Sequence, residues 1–293
     1  MQLGAVFPQT EIGSDPGPVR DFAVAAEELG YDFFVAFDHV IGADPSKHTL
    51  IGPYTHDSMF HEPFVLFGYL AAITQRMDLV TGILILPQRQ TALVAKQATE
   101  VDLLTGGRLI LGVGVGWNQV EFEVLGEDYH RRGRRADEQL ELLQRLWTEE
   151  LVTFEGRFDT VRHAGINPRP EREIPIWFGG MSSPVLRRCG RYGSGFIPRD
   201  QFPDDHERNR DDILFRFGRI REHAREAGRD PDAIALCTRA AVLDGDLDAQ
   251  LAMARSWEEA GATHLSFNTM NAGLSSPQQH IDAITNFIEA YRG

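Results

Sequence analysis

A chain of 293 residues with 43 acidic and 29 basic side chains carries a formal net charge of −14. A balance this acidic, with no basic tract, argues against binding nucleic acid, where neutralised phosphates supply most of the affinity. A hydrophobic content of 42% and a charged content of 25% are those of a globular protein with ample core, and no apolar run reaches the length of a membrane span.

The first ten residues, MQLGAVFPQT, lack the basic flank and small-residue cleavage site of a signal peptide, so a cytoplasmic protein with no membrane partner is expected. The two cysteines, Cys189 and Cys237, stand in no ligand spacing and read as reduced, buried thiols. The ten histidines form no HExxH or paired zinc spacing, so no metal is expected. Lys47 and Lys96 are the only lysines, an arginine bias that points to a GC-rich genome rather than to mechanism.

In chain order, QLGAVF (2–7) reads as a strand, and VRDFAVAAEELG (19–30) as a helix stopped by Gly30. YDFFVAF (31–37) is a second strand, followed to about residue 61 by a loop rich in Gly, Pro, His and Asp. PFVLFGYLAAITQR (63–76) is a helix with Pro63 in its first turn. DLVTGILIL (78–86) is a strand, TALVAKQATEVDLLTGG (91–107) a helix with a glycine stop, and RLILGVGVG (108–116) a strand. An amphipathic helix follows at 136–150, then an irregular insertion at 151–173 with a short hairpin around Glu155-Gly156. Strands at 174–180, 194–198, 234–243 and 263–270 alternate with helices at 183–193, 205–227, 247–261 and 277–292.

Strands that are short, apolar and bounded by Gly or Asp, alternating with helices about eight times, imply parallel strands buried by helices. The expected fold is an α/β (β/α)8 TIM barrel with insertions, one domain over 1–293. A doubly wound open sheet is the alternative.

The stretch LILGVGVGW (109–117) resembles a dinucleotide phosphate turn, but it fails that test. Trp117 stands where the third fingerprint glycine would fall, and the run is the fourth strand rather than the first. Gly112 and Gly114 therefore either leave room above the barrel core or allow close packing of the strand.

Polar residues at the C-terminal ends of barrel strands line the site of such folds. The second strand ends in Phe37-Asp38-His39, where an imidazole can exchange protons near neutral pH; a capping Asp beside a solvated His is the bland alternative. The fifth ends in Phe178-Gly179-Gly180-Met181-Ser182-Ser183-Pro184, with Ser183 as N-cap, Pro184 as the first helical residue, and free amides suited to a phosphate. An ordinary capped turn is again the alternative. Gly82 in the third strand suggests a bulge. The cluster Arg131, Arg132, Arg134 and Arg135 reads first as a solvated or salt-bridged face, and second as a grip on an anion.

These segments resemble the bacterial luciferase-like superfamily of flavin and deazaflavin oxidoreductases, nearly end to end. The most specific are FDHV (37–40), EPFVLFGYLAAIT (62–74), LVTGILILPQR (79–89), GGRLILGVGVGWNQVEF (106–122) and IPIWFGG (174–180). Within it they are most similar to the coenzyme F420-dependent branch.

The resemblance implies a barrel with the cofactor ring in its C-terminal mouth, hydride transfer to or from a small-molecule substrate, and a homodimer. It implies Asp38 and His39 at the ring with His39 as proton donor or acceptor, a non-proline cis peptide at Gly82–Ile83, and a phosphate loop at Gly179, Gly180 and Met181. F420-dependent sugar-phosphate dehydrogenases carry a catalytic glutamate directly after the fourth-strand glycines, where this chain has Trp117, with Glu121 and Glu123 displaced further along. That departure argues for an apolar or aromatic substrate stacked on Trp117, and it leaves the second acid–base residue unassigned. An FMN-dependent monooxygenase and a non-catalytic cofactor-binding barrel are the alternatives.

Overall fold

The computed structural model describes residues 1–202 and 204–293. Eight strands pair in parallel: β1 (Gln2–Val6), β2 (Phe33–Ala36), β3 (Asp78–Thr81), β4 (Leu109–Gly114), β5 (Ile176–Gly179), β6 (Gly195–Ile197), β7 (Ala235–Ala241) and β8 (His264–Asn268). Each neighbours the next, and β1 also pairs with β8, Leu3 opposite Leu265. The ring therefore closes as a (β/α)8 barrel, and the doubly wound alternative falls because these strands leave no open edge.

The helices are α1 (Pro16–Glu28), α2 (Pro63–Ala71), α3 (Thr91–Thr105), α4 (Gln119–Val124), α5 (Arg132–Thr148), α6 (Ser183–Tyr192), α7 (His206–Glu226), α8 (Leu247–Glu259) and α9 (Pro277–Arg292). Among the described residues, no helix is long and apolar enough to cross a membrane. The insertion after α5 contains the expected hairpin, Val152–Glu155 paired antiparallel with Thr160–Ala164. Both cysteines are free and buried. The short helix α4 follows Trp117, where the sequence pattern predicted no element.

Strand alternation divides the apolar core in two. Leu3, Phe34, Leu79, Leu111, Phe178, Leu236 and Phe267 point outward and pack with the helices. Val6, Phe33, Val35, Val80, Ile110, Trp177 and Cys237 point inward and fill the barrel below its mouth.

The expected strand over 78–86 is interrupted. It pairs with β2 through Thr81, turns at a cis Gly82–Ile83 peptide, and resumes at Leu84–Ile85 against Val113 and Gly114. The interruption puts Ile83 on the mouth side, where it is partly exposed.

Two glycines make room for that side chain and a third for the β3 backbone behind it. A Cβ on Gly114 would lie 1.8 Å from Ile83 Cδ1, one on Gly179 would lie 2.8 Å from Ile83 Cγ2, and one on Gly112 would lie 1.9 Å from the Thr81 carbonyl oxygen. The alternating glycines of LILGVGVGW thus serve close packing: the space they leave is filled by Ile83 and the backbone of β3.

Because the obstacle at Gly112 is backbone, Gly112→Ala should destabilise the fold by about 1–3 kcal/mol, the usual cost of overpacking a filled core. Gly218 lies inside α7, and a methyl group added there would meet no atom within 4 Å, so Gly218→Ala should be neutral or stabilising by up to ~1 kcal/mol. Denaturant melts of the two variants test the contrast; equal stability of both with the native protein would contradict the glycine nest.

Candidate active site

The β2 strand delivers Phe37, Asp38 and His39 to the barrel rim in succession, and alternation sends adjacent side chains opposite ways. Asp38 is buried, and both of its oxygens are committed to the scaffold. Oδ2 accepts from the Ile85 amide at 3.0 Å and Oδ1 from Arg89 Nη2 at 2.8 Å. Arg89 also donates to Glu62 at the start of α2, at 2.8 Å. Burial pushes the Asp38 carboxyl above its usual range, against the opposing pull of Arg89 and the Ile85 amide. The geometry makes Asp38 the tie between the end of β2 and the segment carrying Ile83.

His39 turns the other way. Its Nδ1 lies 3.1 Å from Glu121 Oε2 on α4. Glu121 is 1% exposed, and it also accepts from the Val40 amide at 2.5 Å, the Ile41 amide at 3.3 Å and Gln88 Nε2 at 3.0 Å. Burial acts to raise the Glu121 carboxyl, but the hydrogen bonds from His39, Gln88 and the Val40 amide outweigh it and hold the group below the ordinary glutamate range. An ionised carboxylate has no proton to donate, so Nδ1 of His39 carries the hydrogen. In the neutral ring, Nε2 is then the acceptor, and it has no hydrogen-bond partner among the described residues.

Aromatic side chains surround this imidazole. The rings of Phe60, Tyr54 and Trp117 lie 4.9, 5.2 and 5.4 Å from it, all tilted or edge-on. Tyr54 and Phe60 come from the long loop after β2. That loop also lays Gly52 on Trp117, where a Cβ would meet the indole at 2.4 Å. Trp117, the residue predicted to face substrate, is therefore brought against His39. It also walls a cavity of about 380 Å³ between residues 48–51 and α4.

Across the rim, β5 ends at Gly179 and Gly180 takes φ +122°, a left-handed value that suits glycine. Met181 is buried, and its carbonyl accepts from Arg216 Nη1 at 2.5 Å. The N-cap of α6 is Ser182, not Ser183. Ser183 and Pro184 occupy the first helical turn, because Ser182 keeps extended backbone (φ −78°, ψ 148°) and its carbonyl accepts from the Val185 amide. No side chain caps this helix. The amides of Met181, Ser182 and Ser183 have no acceptor among the described residues, which leaves the donor set of an anion site.

The arginine cluster is engaged by its own neighbours, and Arg135 also donates to the Arg89 carbonyl at 3.3 Å. Arg131 pairs with Asp128 at 3.2 Å, Arg135 with Glu127 at 2.8 Å, and Arg132 lies 3.8 Å over the Tyr129 ring. Arg131 and Arg135 are thus salt-bridged, the first of the two expected roles, with Arg135 largely covered. Among the described residues, no group of three or more His, Cys, Asp or Glu side chains could hold a metal ion.

Sequence reasoning left the second acid–base residue unassigned. The structure brings Glu121 to His39. Nothing in the sequence separates it from Glu123, since both stand in one short polar helix; α4 buries the first and exposes the second. Tyr54, Phe60 and Gln88 were missed because they lie in loop or turn segments without periodicity.

Residues 1–290 match the model of a family described as luciferase-like monooxygenase. An uncharacterized protein of Mycobacterium tuberculosis is 35% identical over 210 residues, covering 69% of this chain and 70% of that one. An F420-dependent glucose-6-phosphate dehydrogenase of Kineococcus radiotolerans is 34% identical over 185 residues; the match covers 62% of this chain and only 52% of that enzyme. Among solved structures, an F420-dependent secondary alcohol dehydrogenase in complex with an F420-acetone adduct superposes with a TM-score of 0.79 at 20% identity, over 100% and 99% of the two chains. A monooxygenase from Streptomyces bottropensis has the same TM-score, 0.79, at 18% identity, over 100% of both. With the family model matching nearly its whole length and the closed barrel matching the solved structures, the chain belongs to the luciferase-like monooxygenase family.

Proposed function

We propose that the chain is a coenzyme F420-dependent oxidoreductase acting on a small organic substrate with an apolar or aromatic body, and that His39 is its proton partner. One observation carries the reading: an imidazole fixed in one tautomer by a buried carboxylate, with its other nitrogen among Tyr54, Phe60 and Trp117. The choice of cofactor is supported by the relatives named for F420.

The residues present fit such a cofactor. The unpaired amides of Met181–Ser183 beside Gly179 and Gly180 would receive a phosphate, and the partly exposed Ile83, backed by glycines, would lie beneath a flat ring. When bound, the deazaflavin supplies or accepts a hydride, a two-electron change.

Beside it, the chain's own groups handle the proton. In the oxidative direction a substrate hydroxyl gives its proton to His39 Nε2. Glu121 then faces an imidazolium through the hydrogen bond already present. In the reductive direction His39 returns the proton. Trp117, Tyr54 and Phe60 exclude water and pack the substrate's apolar body. The position of Trp117, where sugar-phosphate enzymes carry an acid, argues against a sugar-phosphate substrate.

Titration with F420 and with FMN, followed by ring fluorescence, should show tighter binding of F420; binding of FMN alone would favour the monooxygenase reading instead. His39→Ala should lower kcat by about 10²–10⁴-fold, the usual worth of general acid–base help, and leave F420 affinity little changed. Weakened F420 binding with an unaltered pH–rate profile would instead make His39 a wall of the ring pocket.

Glu121→Gln keeps the shape but removes the charge. It should lower kcat more than it alters KM and change the pH–rate profile, which loss of packing alone would not do. The same carboxylate contributes to folding. Its native pKa is depressed, so its stabilisation is complete above the unfolded value of about 4.3 and is lost as pH falls through the native value. The melting-temperature deficit of Glu121→Gln should therefore be present at neutral pH and shrink in acid; a deficit independent of pH would contradict an ionised Glu121.

A further inference from the structure

The barrel mouth contains a cation that the proposed chemistry does not use. Along β7, Leu236 and Ala240 pack outward with the helices while Cys237 points into the barrel interior. Alternation puts Arg239 on the inner face, one step nearer the rim than Cys237. It is exposed between buried Thr238 and Ala240, as a side chain opening into the mouth would be. Among the described residues, it is the charged strand residue on the inner face at this level. On the neighbouring strand β8 it stands beside Ser266, with Asn268 one step nearer the rim beside Ala241.

Its surroundings hold it without consuming it. One guanidinium nitrogen, Nη2, pairs with Asp200, which follows β6, and Asp200 is itself pinned by Asn209 Nδ2 at 2.6 Å. The remaining donors of Arg239 have no hydrogen-bond partner among the described residues, and its side chain is half exposed. Tyr54 stands on the proton side of the mouth: its ring lies 5.2 Å from His39, and its phenol is raised by burial and drawn back by the Arg239 charge.

We propose that Arg239 selects substrates whose apolar or aromatic body carries a carboxylate set apart from the reacting carbon. This rests on the reading of the His39 mouth as the substrate site. A planar guanidinium fork with free donors matches a carboxylate in two-point geometry. The chain as a whole has a net charge of −14 and repels anions. That repulsion is screened over roughly 8 Å at physiological ionic strength, so inside the mouth the local cation decides. The aromatic walls take the body, His39 takes the proton, and Arg239 fixes the far end.

The test uses benzoate as an inert probe, with benzamide as its neutral counterpart, on F420-loaded protein and on protein without F420. Benzoate should raise the melting temperature and benzamide should not, with an effect that weakens as salt is added. Arg239→Gln should weaken benzoate binding about tenfold or more, as loss of a charged partner does, and leave F420 affinity unchanged. Asp200→Asn, which removes the competing carboxylate, should strengthen it. Equal response to benzoate and benzamide, or no change in either variant, would overturn the proposal. Loss of F420 affinity in Arg239→Gln would overturn it as well, by assigning the cation to the cofactor. Failure of F420 to bind the native protein would instead sink the cofactor reading, while the benzoate comparison on protein without F420 still judges Arg239. With reduced F420, 4-carboxybenzaldehyde and benzaldehyde give the catalytic comparison: kcat/KM should fall in Arg239→Gln for the first and hold for the second.

Discussion

The site is organised by one buried carboxylate. Glu121 accepts from two consecutive amides of the turn after β2, from a glutamine that follows β3, and from His39. An ionised group at 1% exposure is costly to desolvate, and here the cost is offset by four donors, three from the run His39–Ile41 after β2 and one, Gln88, from the turn after β3. Removing any one of them would leave charge poorly compensated, so each donor is held in place by the others' common acceptor. That is why His39 has a fixed tautomer and direction. The carboxylate acts on the reacting centre through the imidazole, as a positioning residue, and in the proposed chemistry it is the imidazole that exchanges the proton with the substrate.

A second constraint lies opposite and is apolar. Ile83 leaves the β3 path and fills the space vacated at Gly114 and Gly179, while the Thr81 carbonyl fills that at Gly112. The Asp38–Arg89–Glu62 chain locks the same segment from outside, tying β2, the turn after β3 and α2 together. Ionic and steric fixation thus hold the two sides of the mouth independently. The paired residues Asp38 and His39 divide the work: alternation turns one into the scaffold and the other into the site. The proposed substrate geometry follows from that layout, with proton exchange on the β2 side, aromatic walls above, and a cation on the β7 side.

Much of this was legible from the chain alone. The alternation of short apolar runs with helical periodicity determined parallel strands covered by helices, because strands buried on both faces need helices outside them, and the eight repeats favoured a barrel over an open sheet. The glycine spacing of LILGVGVGW, the break at Gly82 and the run Phe37-Asp38-His39 marked three rim positions, since missing side chains and polar residues at strand ends are local features of sequence. The one-residue error at Ser183 is equally local: two adjacent serines carry the same capping chemistry, and only backbone geometry distinguishes them.

What tertiary structure decided is which residues meet. Glu121 lies 82 positions from His39, and its neighbour Glu123 has the same chemistry, so no local pattern could choose between them; the orientation of α4 against the barrel did. Tyr54 and Phe60 come from a loop with no period to read. Arg239 looked like any exposed basic residue until barrel closure turned its strand face inward. Sequence determines the period of each element and hence which face is buried. The partners of a buried charge are set by how those faces close on one another, because convergence of distant donors is a property of the closed barrel and not of any segment within it.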